Sequence, residues 1–144
     1  MAKGRILLAH GNTDCQKIYG SVLVYDGYDV DIADNVDSAV IRVAALHYDL
    51  VISDLYLPSS GDECLIRRLR VVVGSHLPVV IMTGWITEPH RSLAIVEGAE
   101  RFLPIPIKPR ELVTIAAELL GQRPALPPEL PVNGRLDPPV ATGI

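Results

Sequence analysis

Three residues that could do chemistry, and one aliphatic residue, follow directly after four short stretches that are rich in apolar residues. His10 follows ILLA, Asp54 follows LVIS, Thr83 follows VVIM, and Ile105 follows RFLP. In an open α/β sheet, ligands bind at the carboxyl ends of the strands. A carboxylate and a hydroxyl that face each other at such an edge indicate a small anionic site.

Each of these side chains also has an ordinary structural interpretation. Asp54 fits a residue that caps the loop after its strand. A lone histidine such as His10 is more often a solvated loop residue, although its imidazole could bind a transition metal. Trp85 fits either a recognition anchor on a binding surface or a packed core residue.

Strands that alternate with helices would bring these residues to one edge, and the apolar pattern predicts this alternation. Strands are predicted over residues 5–9, 28–33, 49–53, 77–82 and 101–103. Helices are predicted over about 13–25, 37–46, 87–98 and 109–120, with a third helix that begins at Asp62 and Glu63. We therefore expect right-handed crossovers and a parallel sheet in the flavodoxin-like order 2-1-3-4-5, with helices on both faces.

The spacing of apolar residues also predicts which side chains face the core. Ile18, Val22 and Tyr25 form the predicted buried face of the first helix. Val30 and Ile32 alternate with aspartates, which is typical of a half-exposed strand at the edge of a sheet.

The composition restricts the class of protein. The chain has 144 residues, 49% of them hydrophobic, and a net charge of −4 without a long run of one sign. These values favour one globular domain and give no support for nucleic acid or an anionic membrane as a partner. No apolar stretch reaches the roughly 18 residues of a membrane span. We therefore expect a cytoplasmic protein in which Cys15 and Cys64 are ordinary reduced thiols.

The last part of the sequence differs from the rest. Six prolines occur in residues 122–144, which excludes a sixth helix and favours an extended, polyproline-like or disordered segment. We therefore divide the chain into a domain over residues 1–121 and a proline-rich tail over residues 122–144. The tail could act as an arm that docks on a second copy and produces a homodimer.

Three segments resemble a known family. They are DLVISDLYLP, LPVVIMTG and EGAERFLPIPIKPREL, and they occur in the order and at the distances found in the receiver domain of bacterial two-component response regulators. The resemblance covers residues 4 to about 120. It implies a CheY-like fold, a role in a phosphorelay, and Asp54 as the residue that accepts a phosphoryl group from a histidine kinase or phosphotransfer protein.

The resemblance also implies a Mg²⁺ site and a switch. In the family, two acids after the first strand, the phosphoacceptor and the carbonyl two residues later hold Mg²⁺, which prefers oxygen ligands in octahedral geometry. A lysine after the fifth strand pairs with the phosphate. A hydroxyl after the fourth strand contacts a phosphate oxygen and couples to an aromatic residue on the fifth strand.

This sequence retains four of the positions in that set. Asp54 is the phosphoacceptor position, and Tyr56 would supply the backbone carbonyl for the metal. Thr83 provides the hydroxyl, and Phe102 occupies the place of the switch aromatic.

The other positions of the set are replaced. The acidic pair falls on His10 and Gly11, and the phosphate-binding lysine falls on Ile105. Pro106 still follows, so the Ile105–Pro106 bond is a candidate for the cis peptide of the family. Gly61 comes one residue earlier than the family's loop glycine.

Two nearby charged residues are candidates to replace the missing groups. Asp14 fits better as a carboxylate at the N-terminus of the first helix, and Lys108 fits better at the entrance to the fifth helix. With one carboxylate and no lysine, the charges of a metal and a phosphoryl group would be poorly compensated. We expect Mg²⁺ binding to be weak or absent and phosphorylation of Asp54 to be slow or absent.

Two functions fit these observations. The first is a single-domain response regulator that still uses Asp54 in a phosphorelay. The second is a phosphorylation-independent pseudo-receiver, which would meet a downstream protein partner through the face formed by helix 4, strand 5 and helix 5. An enzyme is disfavoured because the sequence lacks a phosphate-cradling glycine loop, a Ser/His/Asp arrangement and a dinucleotide fingerprint.

Overall fold

The computed structural model describes residues 2–58, 65–74 and 76–121, which contain five strands and five helices. The strands are β1 (Arg5–Ala9), β2 (Asp29–Ala33), β3 (Leu50–Ser53), β4 (Val79–Thr83) and β5 (Arg101–Pro104). The helices are α1 (Thr13–Tyr25), α2 (Val36–Ala45), α3 (Leu65–Val73), α4 (Glu88–Val96) and α5 (Pro109–Leu120). The predictions for Gly61, Asp62, Glu63, Cys64 and the proline-rich tail lie outside the described residues.

The sheet is parallel and has the order β2-β1-β3-β4-β5, which confirms the flavodoxin-like order predicted from the sequence. Ala9 pairs with Ser53 in the register of β1 and β3, so His10 and Asp54 follow at the same level. The register alone therefore places these two residues side by side at the carboxyl edge of the sheet.

The two faces of the sheet carry separate hydrophobic cores. Leu7, Val51 and Ile81 face α2, α3 and α4 on one side. Ile6 and Ile52 belong to the core on the other side, which α1 and α5 cover. Because β1, β3 and β4 are covered on both faces, their sequences are continuously apolar. The alternating sequence of β2 matches its place at the edge of the sheet.

The predicted buried face of α1 was wrong at two of its three residues, while the third, Val22, is partly buried and packs against the core. Ile18 and Tyr25 are more than half exposed, whereas Tyr19, Gly20 and Leu23 are buried. A Cβ atom at Gly20 would lie 3.5 Å from a β2 side chain, so this helix packs close to the sheet at its glycine. Apolar side chains occur on several sides of α1, and the close approach at Gly20 decides which of them are buried.

The helices begin at the carboxyl edge of the sheet. Asn12 caps α1, where its side chain accepts a hydrogen bond from the backbone N–H of Cys15 at 2.9 Å. Thr87 is the N-cap of α4, and Gly121 ends α5 with a left-handed φ of 65°. None of the described helices is long and apolar enough to cross a lipid bilayer.

Candidate functional site

Asp54 lies at the centre of the carboxyl edge, immediately after β3. Its backbone N–H donates to the carbonyl of Ala9 at 2.9 Å, and its side chain is 18% exposed. The carboxylate oxygen Oδ1 accepts hydrogen bonds from the backbone N–H of Leu55 at 2.7 Å and from the hydroxyl of Thr83 at 2.5 Å. One oxygen of the carboxylate is therefore held by two donors, one of which is the fully buried Thr83.

His10 is buried beside Asp54, with only 3% of the residue exposed. Its Nε2 lies 3.7 Å from Asp54 Oδ2, a distance that allows charge attraction but exceeds a hydrogen bond. The backbone N–H of His10 donates to the carbonyl of Ala33 at 2.9 Å, which extends the pairing of β1 by one residue. The expectation that His10 is a solvated loop residue is therefore wrong, because the residue belongs to the buried end of the strand.

The hydrogen bonds of the His10 ring fix its tautomer. The backbone N–H of Asn12 donates to Nδ1 at 3.2 Å, so Nδ1 is the nitrogen without a proton. The neutral ring then carries its proton on Nε2, which has no hydrogen-bond partner in the described part of the chain. His10 thus presents an N–H group, and not a lone pair, towards the carboxylate of Asp54.

Burial determines the protonation state of this ring. It lowers the pKa of His10 below 6.5, against the opposing effects of the Asp54 carboxylate and the Met82 backbone carbonyl. His10 is therefore neutral at pH 7, and the carboxylate has no cation on this side.

The lowered pKa of His10 predicts that the protein becomes less stable in mild acid. The unfolded chain binds a proton at His10 in a pH range below 6.5 in which the folded chain does not, so the free energy of unfolding rises as the pH increases through that range. Urea unfolding at several pH values should show this rise in the wild type and a smaller rise in His10→Gln. His47→Gln removes a ring that is 83% exposed and serves as the control. An identical pH dependence in the wild type and His10→Gln would contradict the prediction.

The residues at this edge do not fit the Mg²⁺ site that the resemblance implies. Mg²⁺ prefers oxygen ligands, but the positions of the acidic pair hold an Nε2–H group of His10 and the hydrogen of Gly11. No group of three or more His, Cys, Asp or Glu side chains suited to a metal occurs among the residues that the structure describes. A metal bound to Nε2 would require the proton of the neutral His10 ring to sit on Nδ1. That proton would then face the backbone N–H of Asn12, and the hydrogen bond from Asn12 would be lost.

The residues expected at the switch lie on and next to β5. Phe102 is half-buried against the core on the α4 side, and the guanidinium of Arg91 lies 5.8 Å from its ring centroid. The backbone N–H of Ile105 donates to the carbonyl of Thr83 at 2.9 Å, and its side chain packs against the opposite core. The Ile105–Pro106 bond is cis, as expected. An aliphatic side chain thus stands where the resemblance implies a lysine.

Asp14 and Lys108 occupy the helix ends predicted for them. Asp14 lies in the first turn of α1, and Lys108 is the exposed N-cap residue of α5. Neither forms an ion pair or hydrogen bond with Asp54 within the described ranges.

A tyrosine that the sequence did not single out holds the loop between β5 and α5. The buried hydroxyl of Tyr19 donates to the carbonyl of Ile107 at 2.9 Å and accepts from the N–H of the same residue at 3.1 Å. This pair of bonds links α1 to the loop that contains Ile105 and Lys108.

Sequence patterns also did not indicate that three aromatic side chains form a cluster beside the site. The rings of Tyr56, Trp85 and His90 have centroids 5.3–5.6 Å apart, and the Tyr56 hydroxyl pairs with His90 Nδ1 at 2.7 Å. The backbone N–H of Trp85 donates to the hydroxyl of Thr83 at 3.2 Å. The cluster joins the loop after β3 to the segment from Trp85 to His90, so the position of Tyr56 in it could not be read from local spacing. It is connected to Asp54 through Thr83.

Comparison with known proteins identifies the family. Residues 6–117 match the family model described as the response regulator receiver domain. The chain is 30% identical over 121 residues to the transcriptional regulatory protein AruR of Pseudomonas aeruginosa, covering 81% of this chain and 49% of that protein. It is 29% identical over 122 residues to the DNA-binding transcriptional regulator NtrC of Bradyrhizobium sp., covering 85% and 25% respectively. The chain spans about half, or less, of the length of these curated relatives.

Solved structures support the same family. NtrX from Brucella abortus has a TM-score of 0.76 and 27% identity, with 84% of this chain and 27% of that chain covered. A receiver domain of a sensor histidine kinase from Pseudomonas aeruginosa has a TM-score of 0.75 and 25% identity, with 83% and 98% covered. That receiver was solved with a magnesium ion coordinated in its active site cleft.

Receiver domains are in general signalling modules and not classical enzymes, and they interact with histidine kinases or phosphotransfer proteins. The family match covers most of the chain, and the fold agrees with it. The chain therefore belongs to the response regulator receiver domains of two-component signalling.

Proposed function

We propose that this receiver works without phosphorylation of Asp54, as a cytoplasmic module that passes on information by binding other proteins. The observation that carries the proposal is the buried His10, whose Nε2 lies 3.7 Å from Asp54 Oδ2 at an expected metal-ligand position. A neutral ring there turns an N–H group, and not a lone pair, towards the carboxylate, which leaves no ligand for Mg²⁺ at this position. We propose that magnesium binding is weak or absent for this reason.

Charge compensation supports the proposal. A phosphoryl group on Asp54 would bring a charge of roughly −1.5 to −2 to this edge. Neutral His10 and aliphatic Ile105 would offer it no cation, and uncompensated charge in a partly buried site costs several kcal/mol.

The hydroxyl at the switch position also supports the proposal. In the family this hydroxyl contacts a phosphate oxygen, whereas here Thr83 donates to Asp54 Oδ1 itself at 2.5 Å. We propose that the unmodified carboxylate holds Thr83, and through it the N–H of Trp85, in one fixed arrangement. Asp54 then has a structural role that requires no phosphate.

We propose that a downstream protein binds the face formed by α4, β5 and α5. Ile95 and Val96 expose 54% and 80% of their surface on α4, and Arg101 of β5 pairs with Glu118 of α5 at 3.6 Å. Exposed apolar residues beside paired charges form a surface suited to protein contacts.

Phosphorylation of the purified wild-type chain tests the proposed function. Incubation with acetyl phosphate and Mg²⁺ is expected to leave the intact mass unchanged, because the site lacks the acidic pair that would hold the metal and a cation for the phosphoryl group at position 105. Asp54→Asn removes the acceptor and is the matched control.

Stoichiometric addition of one phosphoryl group to the wild type, absent in Asp54→Asn, would overturn the proposal. That result would instead assign the chain to a phosphorelay with Asp54 as a working acceptor. The side chain of Asp54 is 18% exposed, so a phosphodonor can reach it and the experiment is decisive.

A further inference from the structure

We propose that the aromatic cluster of Tyr56, Trp85 and His90 is a binding site for proline-rich peptide, and that its occupant is the proline-rich tail of the same chain. The proposal does not depend on whether Asp54 is phosphorylated.

The aromatic cluster is exposed to an unusual degree. Tyr56 and Trp85 expose 46% and 54% of their surface, and the neighbouring Ile86 exposes 56%. Trp85 is the only tryptophan in the chain, and it lies at the surface and not in either core. Contiguous exposed aromatic surface marks binding sites, where tryptophan and tyrosine dominate the interaction energy.

The geometry of the cluster suits proline. The rings of Tyr56 and Trp85 stand at 88° with centroids 5.6 Å apart, which forms a corner between two aromatic faces. Proline-rich segments in the polyproline conformation dock on surfaces lined by aromatic rings, with a low entropic cost because the peptide is already stiff. The indole N–H of Trp85 is also a donor of the kind that binds backbone carbonyls of such a peptide.

The same chain contains a peptide of this chemistry. Residues 124–131 read PALPPELP. A pair of prolines separated by two other residues occurs twice in this segment, first as PALP and then as PELP. This spacing is typical of segments that dock as polyproline helices. The segment carries one charged residue, Glu129, so little charge would be desolvated on docking.

The tail is long enough to reach the cluster. Helices between parallel strands run opposite to them, so α5 ends at the amino edge, while the cluster lies at the carboxyl edge. The 12 residues of α5 measure about 18 Å, and residues 122–127 in the polyproline conformation would span about 19 Å, which would bring the second proline pair, Pro128 and Pro131, to the level of the carboxyl edge. The exposed Ile95 and Val96 lie at the end of α4 on the same edge as Gly121.

Attachment to the same chain gives the tail a local concentration of about 1 mM at the cluster, which favours binding of this tail over that of a second copy.

The fluorescence of Trp85 tests the proposal directly, because the chain contains no other tryptophan. The full chain is compared with a chain that ends at Gly121. The shorter chain contains all five strands, all five helices and both cores, so it has what it needs to fold. We expect its emission to shift to longer wavelength and its acrylamide quenching constant to rise about twofold, because one face of the indole becomes accessible. A synthetic peptide of residues 122–139 should reverse both changes.

Substitutions in the full chain separate proline recognition from tail length. Replacing Pro127, Pro128 and Pro131 by alanine should reproduce the effect of truncation. Replacing Pro138 and Pro139 by alanine is the matched control and should leave the quenching constant unchanged. Equal quenching in the full chain and in the truncated chain would overturn the proposal.

Two further outcomes would assign the tail elsewhere and overturn the proposal. If the shielding of Trp85 from acrylamide is lost on dilution, and light scattering gives the mass of a dimer, the tail binds the cluster of a second copy of the chain. Hydrogen-exchange protection by the tail at the apolar groove lined by Val24, Tyr25 and Val30, and not at the cluster, would place it between α1 and β2. None of these results bears on the reactivity of Asp54, so failure here leaves the proposed function untouched.

Discussion

The triple variant His10→Asp, Gly11→Asp, Ile105→Lys is expected to become phosphorylated at Asp54 by acetyl phosphate in the presence of Mg²⁺. The substitutions supply two oxygen ligands for the metal and one cation for the phosphoryl group, the groups the wild type lacks. Loss of one electrostatic contact in a transition state typically costs about 100-fold in rate, so we expect a gain of at least that size. Intact-mass spectrometry over time measures it.

The structure has room for these side chains. A Cβ atom at Gly11 would lie 3.7 Å from the nearest atom of Pro58, which is an ordinary contact. Aspartate at position 10 would place a second carboxylate beside Asp54, so the variant should be less stable than the wild type without metal. Added Mg²⁺ should then raise the melting temperature of the variant and leave that of the wild type nearly unchanged.

The triple variant with Asp54→Asn added is the control and should remain unmodified. A folded triple variant that neither gains stability from Mg²⁺ nor becomes phosphorylated would show that the three substitutions do not account for the site. Circular dichroism distinguishes that outcome from a failure to fold.

Thr83→Val is expected to destabilise the domain by about 2 kcal/mol, because it removes a hydrogen bond to a charged group. The valine cannot donate to Asp54 Oδ1 or accept from the N–H of Trp85, although its volume is similar. Thr83→Ser retains the hydroxyl and should cost less than half as much. Urea unfolding measures the difference, and the emission of Trp85 reports whether the loop between β4 and α4 has moved.

A double-mutant cycle isolates the contact behind this prediction. Combined with Asp54→Asn, the effect of Thr83→Val should shrink, because the charged acceptor is already absent. Equal stability of Thr83→Val and Thr83→Ser would contradict the structural role given to this hydroxyl.

The sequence predicted the order of the strands and the residues at their ends. Short apolar stretches separated by helical segments leave few topologies once crossovers must be right-handed, so β2-β1-β3-β4-β5 followed from the pattern. Asp54 and Thr83 could be placed at one edge for the same reason. The resemblance to receiver domains gave the cis bond before Pro106, which the structure confirms.

The packing of the helices against the sheet was harder to predict from the sequence. In α1 the apolar residues are distributed around the helix, so periodicity could not decide between Ile18 and Tyr19 as the buried residue. The close approach at Gly20 and the two hydrogen bonds between the Tyr19 hydroxyl and Ile107 decide it. Both involve residues from other parts of the chain.

By itself, the sequence determined that a receiver fold forms, that Asp54 follows the third strand, and that His10, Gly11 and Ile105 replace charged residues of the family. Only the tertiary structure decided what the replacements do. The burial of His10 depends on its neighbours at the sheet edge, and its tautomer depends on the N–H of Asn12, which local spacing does not specify. The aromatic cluster likewise forms where Tyr56, after β3, meets the segment from Trp85 to His90, because contacts between distant residues depend on the packed arrangement of the chain and not on its order.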